Sequence, residues 1–272
     1  MACVQSTTSS APASYIHFPS VTSVTSSRIK LPFFRNFLRG AHTRNFGMAW
    51  RSSGTSNESL ITNLSRNGLI RSERVKEAMM KVDRAHYAPS HRDAYEDSPQ
   101  PIGHHATISA PHMHASACES LLPHLHPGAR VLDIGSGSGY LTAVFANLVG
   151  PSGTVVGIDH IQPLVDLAAQ NMAKSEAGRA MLDSGQVEFV KGDGRKGWAE
   201  AAPYDAIHVG AAAAEHHEEL SEQLKAPGRM FVPVEEGNVQ HIYVVDKKED
   251  GSIEKEKLYG VRYVPLTDAP SA

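Results

Sequence analysis

The chain has 272 residues, 41% hydrophobic and 20% charged, with a net charge of −3. These values suit a soluble globular protein with a sizeable core and exclude wholesale disorder. No run approaches the ~18 apolar residues of a membrane span, and the charge balance argues against a strongly basic nucleic-acid binder. Two distant cysteines, Cys3 and Cys118, offer neither a disulfide framework nor a paired zinc knuckle, as expected of a reducing compartment.

Charge is unevenly spread. Residues 1–57 contain no Asp or Glu but carry Arg28, Lys30, Arg35, Arg39, Arg44 and Arg51, and thirteen Ser or Thr fall within the first fifty positions. Residues 58–272 set 20 basic against 29 acidic side chains. An acid-free, Arg-bearing, hydroxyl-rich leader has the composition of an organelle transit peptide. It equally fits a disordered leader with no address, or a chain start upstream of Met48, where MAWRSSGTSN would itself serve as an N-terminus. The expected organisation is a leader over 1–47 and one domain over 48–272. The expected location is cytoplasmic, with a mitochondrial or other organellar address for the long form as the alternative.

The body opens with two predicted helices. Leu60, Ile61 and Leu64 share a face over 58–68, and Val75, Met79 and Val82 share one after a candidate cap at Ser72. A Pro-, His- and Asp-rich loop is expected over 83–110, long enough to suspect function. Pro111 suits the first turn of a helix through Leu122.

Strands and helices then alternate. Strands are expected at Arg130–Ile134, Thr154–Ile158, Val187–Val190, Tyr204–Val209 and Arg229–Val232, with two more at 240–246 and 257–264. Helices are expected at Tyr140–Leu148, 162–174 and 215–225. This alternation predicts an open, mostly parallel α/β sheet covered on both faces.

The first strand of that series runs into Asp133-Ile134-Gly135-Ser136-Gly137-Ser138-Gly139. Glycines permit a tight turn and close approach of a ligand to the backbone. Asp159 follows Gly139 by twenty residues, at the end of the next strand, where an acid accepts hydrogen bonds from ribose hydroxyls. The loop reads GxGxG rather than GxGxxG, and Asp193 ends the third strand between Gly192 and Gly194. This trio favours S-adenosylmethionine over a dinucleotide, because a sulfonium ligand has no pyrophosphate to rest on the helix N-terminus. Asp193 also reads as a plain turn residue.

Fifteen histidines raise a metal site, with His104-His105, His112 and His114, and His216-His217 as candidates. Residues two apart cannot share a helix face, and no H-E-x-x-H pattern is present, so no metal is expected.

The string ATISAPHMH at 106–114 resembles the signature of the protein-L-isoaspartate (D-aspartate) O-methyltransferases. So do DSPQPIG at 97–103, VLDIGSGSGYLTA at 131–143, GIDHI at 157–161, GDGR at 192–195, YDAIHVGAAA at 204–213 and YVPLTD at 263–268. The likeness runs in order from about Met48 to Asp268, and only the leader lies outside it. His104-His105 departs from a less basic pair, and Ala226-Pro227-Gly228 from a proline-glycine-glycine turn.

The resemblance implies a doubly wound Rossmann-like methyltransferase fold with N-terminal covering helices. It implies a methyl transfer from S-adenosylmethionine to the free carboxylate of L-isoaspartyl, and some D-aspartyl, residues in damaged proteins and peptides. The ester would then cyclise unaided to a succinimide that opens partly to normal aspartate. Cofactor contacts are implied at Ala106, Thr107, Ile108, Ser109, His114, Ser138, Asp159, Asp193, Gly194 and Thr267. The glycine loop adds Asp133, Gly135, Ser136 and Gly137, and GIDHI adds His160. Ser109 corresponds to the active-site serine. It reads as a hydrogen-bond donor that orients the carboxylate, or as a helix N-cap ahead of Pro111. A monomer acting on isoaspartyl proteins, without nucleic acid or membrane, is expected. Rival readings are a methyltransferase with another substrate and a non-catalytic recognition module. The module reading is disfavoured because such adaptors carry a long C-terminal extension, whereas this chain ends soon after YVPLTD.

Overall fold

The computed structural model describes residues 52–213, 218–263 and 266. The expected leader, His216-His217 and Thr267 lie outside the described residues. Helix α1 (Asn57–Arg66) opens on a reciprocal cap. The Ser56 hydroxyl accepts from the Ser59 N–H at 3.2 Å, and the Ser59 hydroxyl accepts from the Ser56 N–H at 2.9 Å. Helix α2 (Glu73–Lys81) begins after Ser72, but the Ser72 side chain caps nothing. Instead the Glu119 carboxylate accepts from the N–H groups of Arg71 and Ser72, both at 2.8 Å. A full negative charge at a helix start outcompetes a local hydroxyl.

The stretch expected as a loop over 83–110 is partly ordered. A single 3-10 turn covers Arg84–His86, and a hairpin joins β1 (Gln100–Gly103) to β2 (Ala106–Ile108). His104 and His105 form its two-residue turn, both at positive φ (51° and 59°), as tight hairpin turns demand. Proline, glycine and histidine in and beside such short strands hide the alternation that announces a hairpin. Helix α3 (Pro111–Leu121) follows with Pro111 in its first turn, and its N-cap is Ala110, not Ser109.

The remaining elements are β3 (Arg130–Ile134), α4 (Tyr140–Val149), β4 (Thr154–Asp159), α5 (Gln162–Met172), α6 (Glu176–Asp183), β5 (Val187–Lys191), β6 (Tyr204–Val209), α7 (Glu218–Glu222), β7 (Leu224–Glu236), β8 (Val239–Lys247) and β9 (Ile253–Val261). One sheet runs β5-β4-β3-β6-β7-β8-β9. Strands β3 to β7 are mutually parallel, and β8 and β9 complete the sheet antiparallel. The expected strand 229–232 is only the centre of β7, which lengthens because β8 pairs with it from Gly228 to Glu236. The helix expected over 215–225 is described only as α7. Helix α6 was not expected: its one buried residue is Gly178, so no apolar stripe announces it.

Alternate residues of each strand feed two cores. Val131, Val155, Val187 and Phe231 pack with helices α1 to α4. Leu132, Val156, Val190, Met230 and Val232 pack with Leu220 of α7 and with Trp198. This period of two is the pleat of a sheet buried on both faces. Edge strand β9 carries the exposed run Glu254, Lys255, Glu256 and Lys257, whose charges discourage pairing with another sheet. Among the described residues no helix is long and apolar enough to cross a membrane.

Candidate active site

The sheet changes direction of growth between β3 and β6, since β4 lies on one side of β3 and β6 on the other. Ligands of open α/β sheets bind outside the carboxyl ends of the strands at such a point. A cleft of about 550 Å³ lies there. Its lining includes Gly135, Gly137, Asp159, Asp193, Gly194 and Gly210, with Ile134, Ile158, Ile161, Leu164 and Leu266 supplying apolar wall.

The glycine loop is shaped by backbone alone. Gly135, Gly137 and Gly139 all have positive φ (71°, 53° and 83°), which L side chains rarely adopt. A Cβ on Gly139 would approach Ala168 Cβ and Phe189 Cζ to 3.0 Å, so α5 and β5 press against the turn. The N–H groups of Gly135 and Ser136 both donate to the Ile158 carbonyl, at 2.8 and 3.1 Å, tying the loop to β4. Asp159 closes the arrangement: its Oδ2 accepts from the Gly137 N–H at 3.2 Å and its Oδ1 from the Ile161 N–H at 3.1 Å. Burial pushes the Asp159 carboxyl above its ordinary pKa despite these hydrogen bonds. Each oxygen keeps acceptor capacity for a ligand's hydroxyl groups.

Asp193 is both the turn residue and a cleft residue. Its Oδ1 accepts from the Arg195 N–H at 3.1 Å, and the Arg195 guanidinium holds both oxygens at 2.9 Å. That side chain lowers the Asp193 pKa. The carboxylate therefore stays ionised and oriented at the cleft wall.

The β1–β2 hairpin roofs the cleft. His104, His105, Ala106 and Thr107 line it, and a Cβ on Gly137 would come within 3.3 Å of Ile102 Cδ1. The hairpin is clamped to α3 by Asp97, whose buried Oδ1 accepts from the His112 N–H at 3.0 Å and lies 2.8 Å from His112 Nδ1. Half-buried Ser109 follows β2. Its carbonyl accepts from Nη2 of the fully buried Arg84 at 2.8 Å. Arg84 Nη1 lies 3.3 Å from His114 Nδ1, and the His114 ring lies 5.0 Å from that of Tyr140. Burial, then the Arg84 charge, hold the His114 pKa well below its ordinary value, so His114 is neutral.

Comparison with known proteins decides the family. The model of the protein-L-isoaspartate(D-aspartate) O-methyltransferases matches residues 55–271. The chain is 51% identical to protein-L-isoaspartate O-methyltransferase 2 of Arabidopsis thaliana over 83% of its own length and 72% of that protein's. It is 50% identical to a Caenorhabditis elegans protein-L-isoaspartate O-methyltransferase, over 81% and 96%. The chain belongs to the protein-L-isoaspartate(D-aspartate) O-methyltransferase family. A Plasmodium falciparum member, solved in complex with S-adenosyl-L-homocysteine, superposes with a TM-score of 0.73 at 34% identity, covering 79% of this chain and 99% of that one.

Family membership makes S-adenosylmethionine the expected cofactor, and the cleft residues fit it. Asp159 offers acceptors, the isoleucines and Leu266 offer apolar wall, and Gly135 and Gly137 bring the backbone to the cleft wall. Of the residues singled out from sequence, Ala106, Thr107, Gly135, Gly137, Asp159, His160, Asp193 and Gly194 line the cleft together. Ile108, His114, Asp133, Ser136 and Ser138 are buried and are not part of that lining, and neither is half-buried Ser109. Asp133 accepts from the Thr142 hydroxyl at 2.6 Å and lies 2.8 Å from His208 Nδ1, which ties the loop base to α4 and β6. Ser136 Oγ is buried without a partner. Sequence reasoning missed Arg84, Gly210, Ala211 and Leu266 as site residues. The last three stand in the family strings YDAIHVGAAA and YVPLTD, a usable signal, whereas nothing local marks Arg84.

Proposed function

We propose that this chain transfers a methyl group from S-adenosylmethionine to the free α-carboxylate of L-isoaspartyl residues in damaged proteins and peptides, and to some D-aspartyl sites. The observation that carries this reading is the placement of Ala106 and Thr107, in the family's ATIS string that runs on to Ser109, in one cleft with Gly135, Gly137, Asp159 and Asp193. The cofactor, when bound, supplies a methyl carbon already activated on a sulfonium.

The protein's part is then spare. A carboxylate with an ordinary pKa of about 3.5–4 is already ionised at neutral pH, so no general base is required. Neutral, buried His114 is in keeping with that. Ser109 donates a hydrogen bond that orients the carboxylate. The hairpin sets the distance between that anion and the cleft and limits water. Alignment of this kind supplies roughly 7–11 kcal/mol in favourable cases. An isoaspartyl and an aspartyl residue carry the same charge at different distances from the backbone, so selectivity rests on where the anion is held.

The test is labelled methyl transfer to an isoaspartyl peptide and its aspartyl twin. Base-labile label on the isoaspartyl peptide alone is expected, and equal labelling of both, or of neither, would refute the reading. We further propose that residues 1–47 are a leader dispensable for this activity and that the enzyme acts as a cytoplasmic monomer, the long form having an organellar address as the alternative. The acid-free composition of the leader supports its separateness. Loss of soluble, active protein on starting the chain at Met48 would make the leader structural. Sedimentation reports the oligomeric state, and a reporter fused to residues 1–47 reports the address.

A further inference from the structure

Arg84 is fully buried, yet arginine is rarely so unless paired with an acid. The groups it hydrogen-bonds or stacks against are neutral. Nη2 donates to the Ser109 carbonyl, Nη1 faces the Nδ1 of neutral His114 on α3, and Cζ lies 5.3 Å from the centre of the Tyr140 ring on α4. Tyr87 meets that ring edge-on at 5.7 Å, and burial raises the phenol pKa of both tyrosines, so both stay uncharged. Nε has no partner. Buried Asp97 acts on Arg84 through its charge, but no hydrogen bond joins the two: its Oδ1 is taken by His112 and its Oδ2 has no partner. No ion pair between Arg84 and a carboxylate occurs among the described residues. Desolvation lowers the guanidinium pKa only to about 10, so the charge persists at neutral pH.

A buried charge without a paired counter-ion is unfavourable, and an apolar side chain of similar volume would fill the space at lower cost. Packing alone therefore does not account for a guanidinium here. Its position does, because it lies directly behind Ser109, where the proposed substrate carries its anion. Charge in a low-dielectric surround acts strongly over such distances.

We propose that Arg84 is a positioning residue for the substrate carboxylate: it fixes the Ser109 backbone from behind and supplies the positive potential that draws the isoaspartyl anion to the Ser109 hydroxyl. This rests on the reading given under Proposed function. Arg84 touches no substrate itself.

The experiment compares the wild-type full chain with Arg84→Met and Arg84→Lys, using kcat and KM for an isoaspartyl peptide from pH 6 to 9.5. Calorimetry with S-adenosylhomocysteine controls for an intact cofactor site. Arg84→Met is expected to lower kcat/KM about 100-fold, mainly through KM, with cofactor-product affinity within about threefold of wild type. Arg84→Lys keeps a charge at low pH, but a buried ammonium deprotonates more readily than a guanidinium. Its kcat/KM should approach wild type at pH 6 and fall on raising the pH, where wild type stays level. Wild-type kinetics in Arg84→Met, or an Arg84→Lys profile parallel to wild type, would overturn the proposal and leave the methyltransferase reading intact. If Arg84→Met fails to fold, the Arg84→Lys profile decides alone. A wild type silent toward the peptide would overturn both readings.

Discussion

The two sides of the cleft are built by different means. On the cofactor side, β3, β4 and β5 deliver Gly135, Asp159 and Asp193 at strand ends, and backbone N–H groups make most of the contacts. The Gly137 and Ile161 N–H groups meet Asp159, and the Arg195 side chain meets Asp193 two residues away. On the side proposed for substrate, the segment around Ser109 is held by side chains: Arg84 on the Ser109 carbonyl, and Asp97 on His112. Backbone geometry tolerates little but glycine in the first region. The second is held by buried polar groups, which are specific but expensive to disturb. The contrast suits a family whose members share a cofactor, since a ligand recognised by backbone needs only a turn, whereas a damaged residue must be measured by side chains.

If the two sides are separable in function, variants should divide cleanly. The largest effect is expected for Ser109→Ala. Losing one orienting donor should lower kcat for isoaspartyl peptide by roughly 10²-fold, with S-adenosylhomocysteine affinity within a few-fold of wild type. Because Ala110 and not Ser109 caps α3, this loss would not reflect a frayed helix. A wild-type rate would leave orientation to backbone N–H groups. The converse pattern is expected for Asp159→Ala, which should weaken S-adenosylhomocysteine binding by about 1.5–3 kcal/mol in calorimetry. The same carboxylate sharpens the comparison through pH. If Asp159 accepts from the ribose hydroxyls as proposed, its ionised form binds better, and burial raises the Asp159 pKa. Affinity should therefore begin to fall, on acidification, at a higher pH than an ordinary aspartate would dictate, and Asp159→Asn should abolish that dependence.

Smaller effects test the substrate side. Asp97→Ala leaves the His112 N–H unpaired and should lower stability by about 1–3 kcal/mol in denaturant unfolding. Isoaspartyl KM should rise while cofactor affinity holds. His114 contributes the smallest term. Its folded pKa is depressed, so the unfolded chain binds the extra proton first as pH falls below about 6.5. Stability should decline from there downward at up to about 1.4 kcal/mol per pH unit for this one proton, until the folded pKa is reached. In His114→Gln that part of the acid slope should vanish.

The same contrast explains what could be read without coordinates. Strands β3 and β6 fall at their expected residues because continuous apolar runs are local signals, and DIGSGSG with Asp159 marks its own turn. Ser72 and Ser109 as caps could not be judged locally. Glu119 displaced the first from across the fold, and a one-residue shift moved the second cap to Ala110. Helix α6 buries too little to show a stripe. The hairpin at 100–108 looks like a loop because Pro101, Gly103, His104 and His105 break the alternation. Arg84 lies in a stretch with no periodicity, and its meaning comes from Ser109, His114 and Tyr140, all remote in sequence.

Repair itself can be followed directly. An isoaspartyl peptide is incubated with the enzyme and S-adenosylmethionine, and its linkage is tracked by chromatography over many turnovers. The account predicts a transient methyl ester, then succinimide, then a growing share of the normal aspartyl peptide that the enzyme leaves unmethylated. Persistence of the isoaspartyl peptide while methyl groups are consumed elsewhere would contradict it.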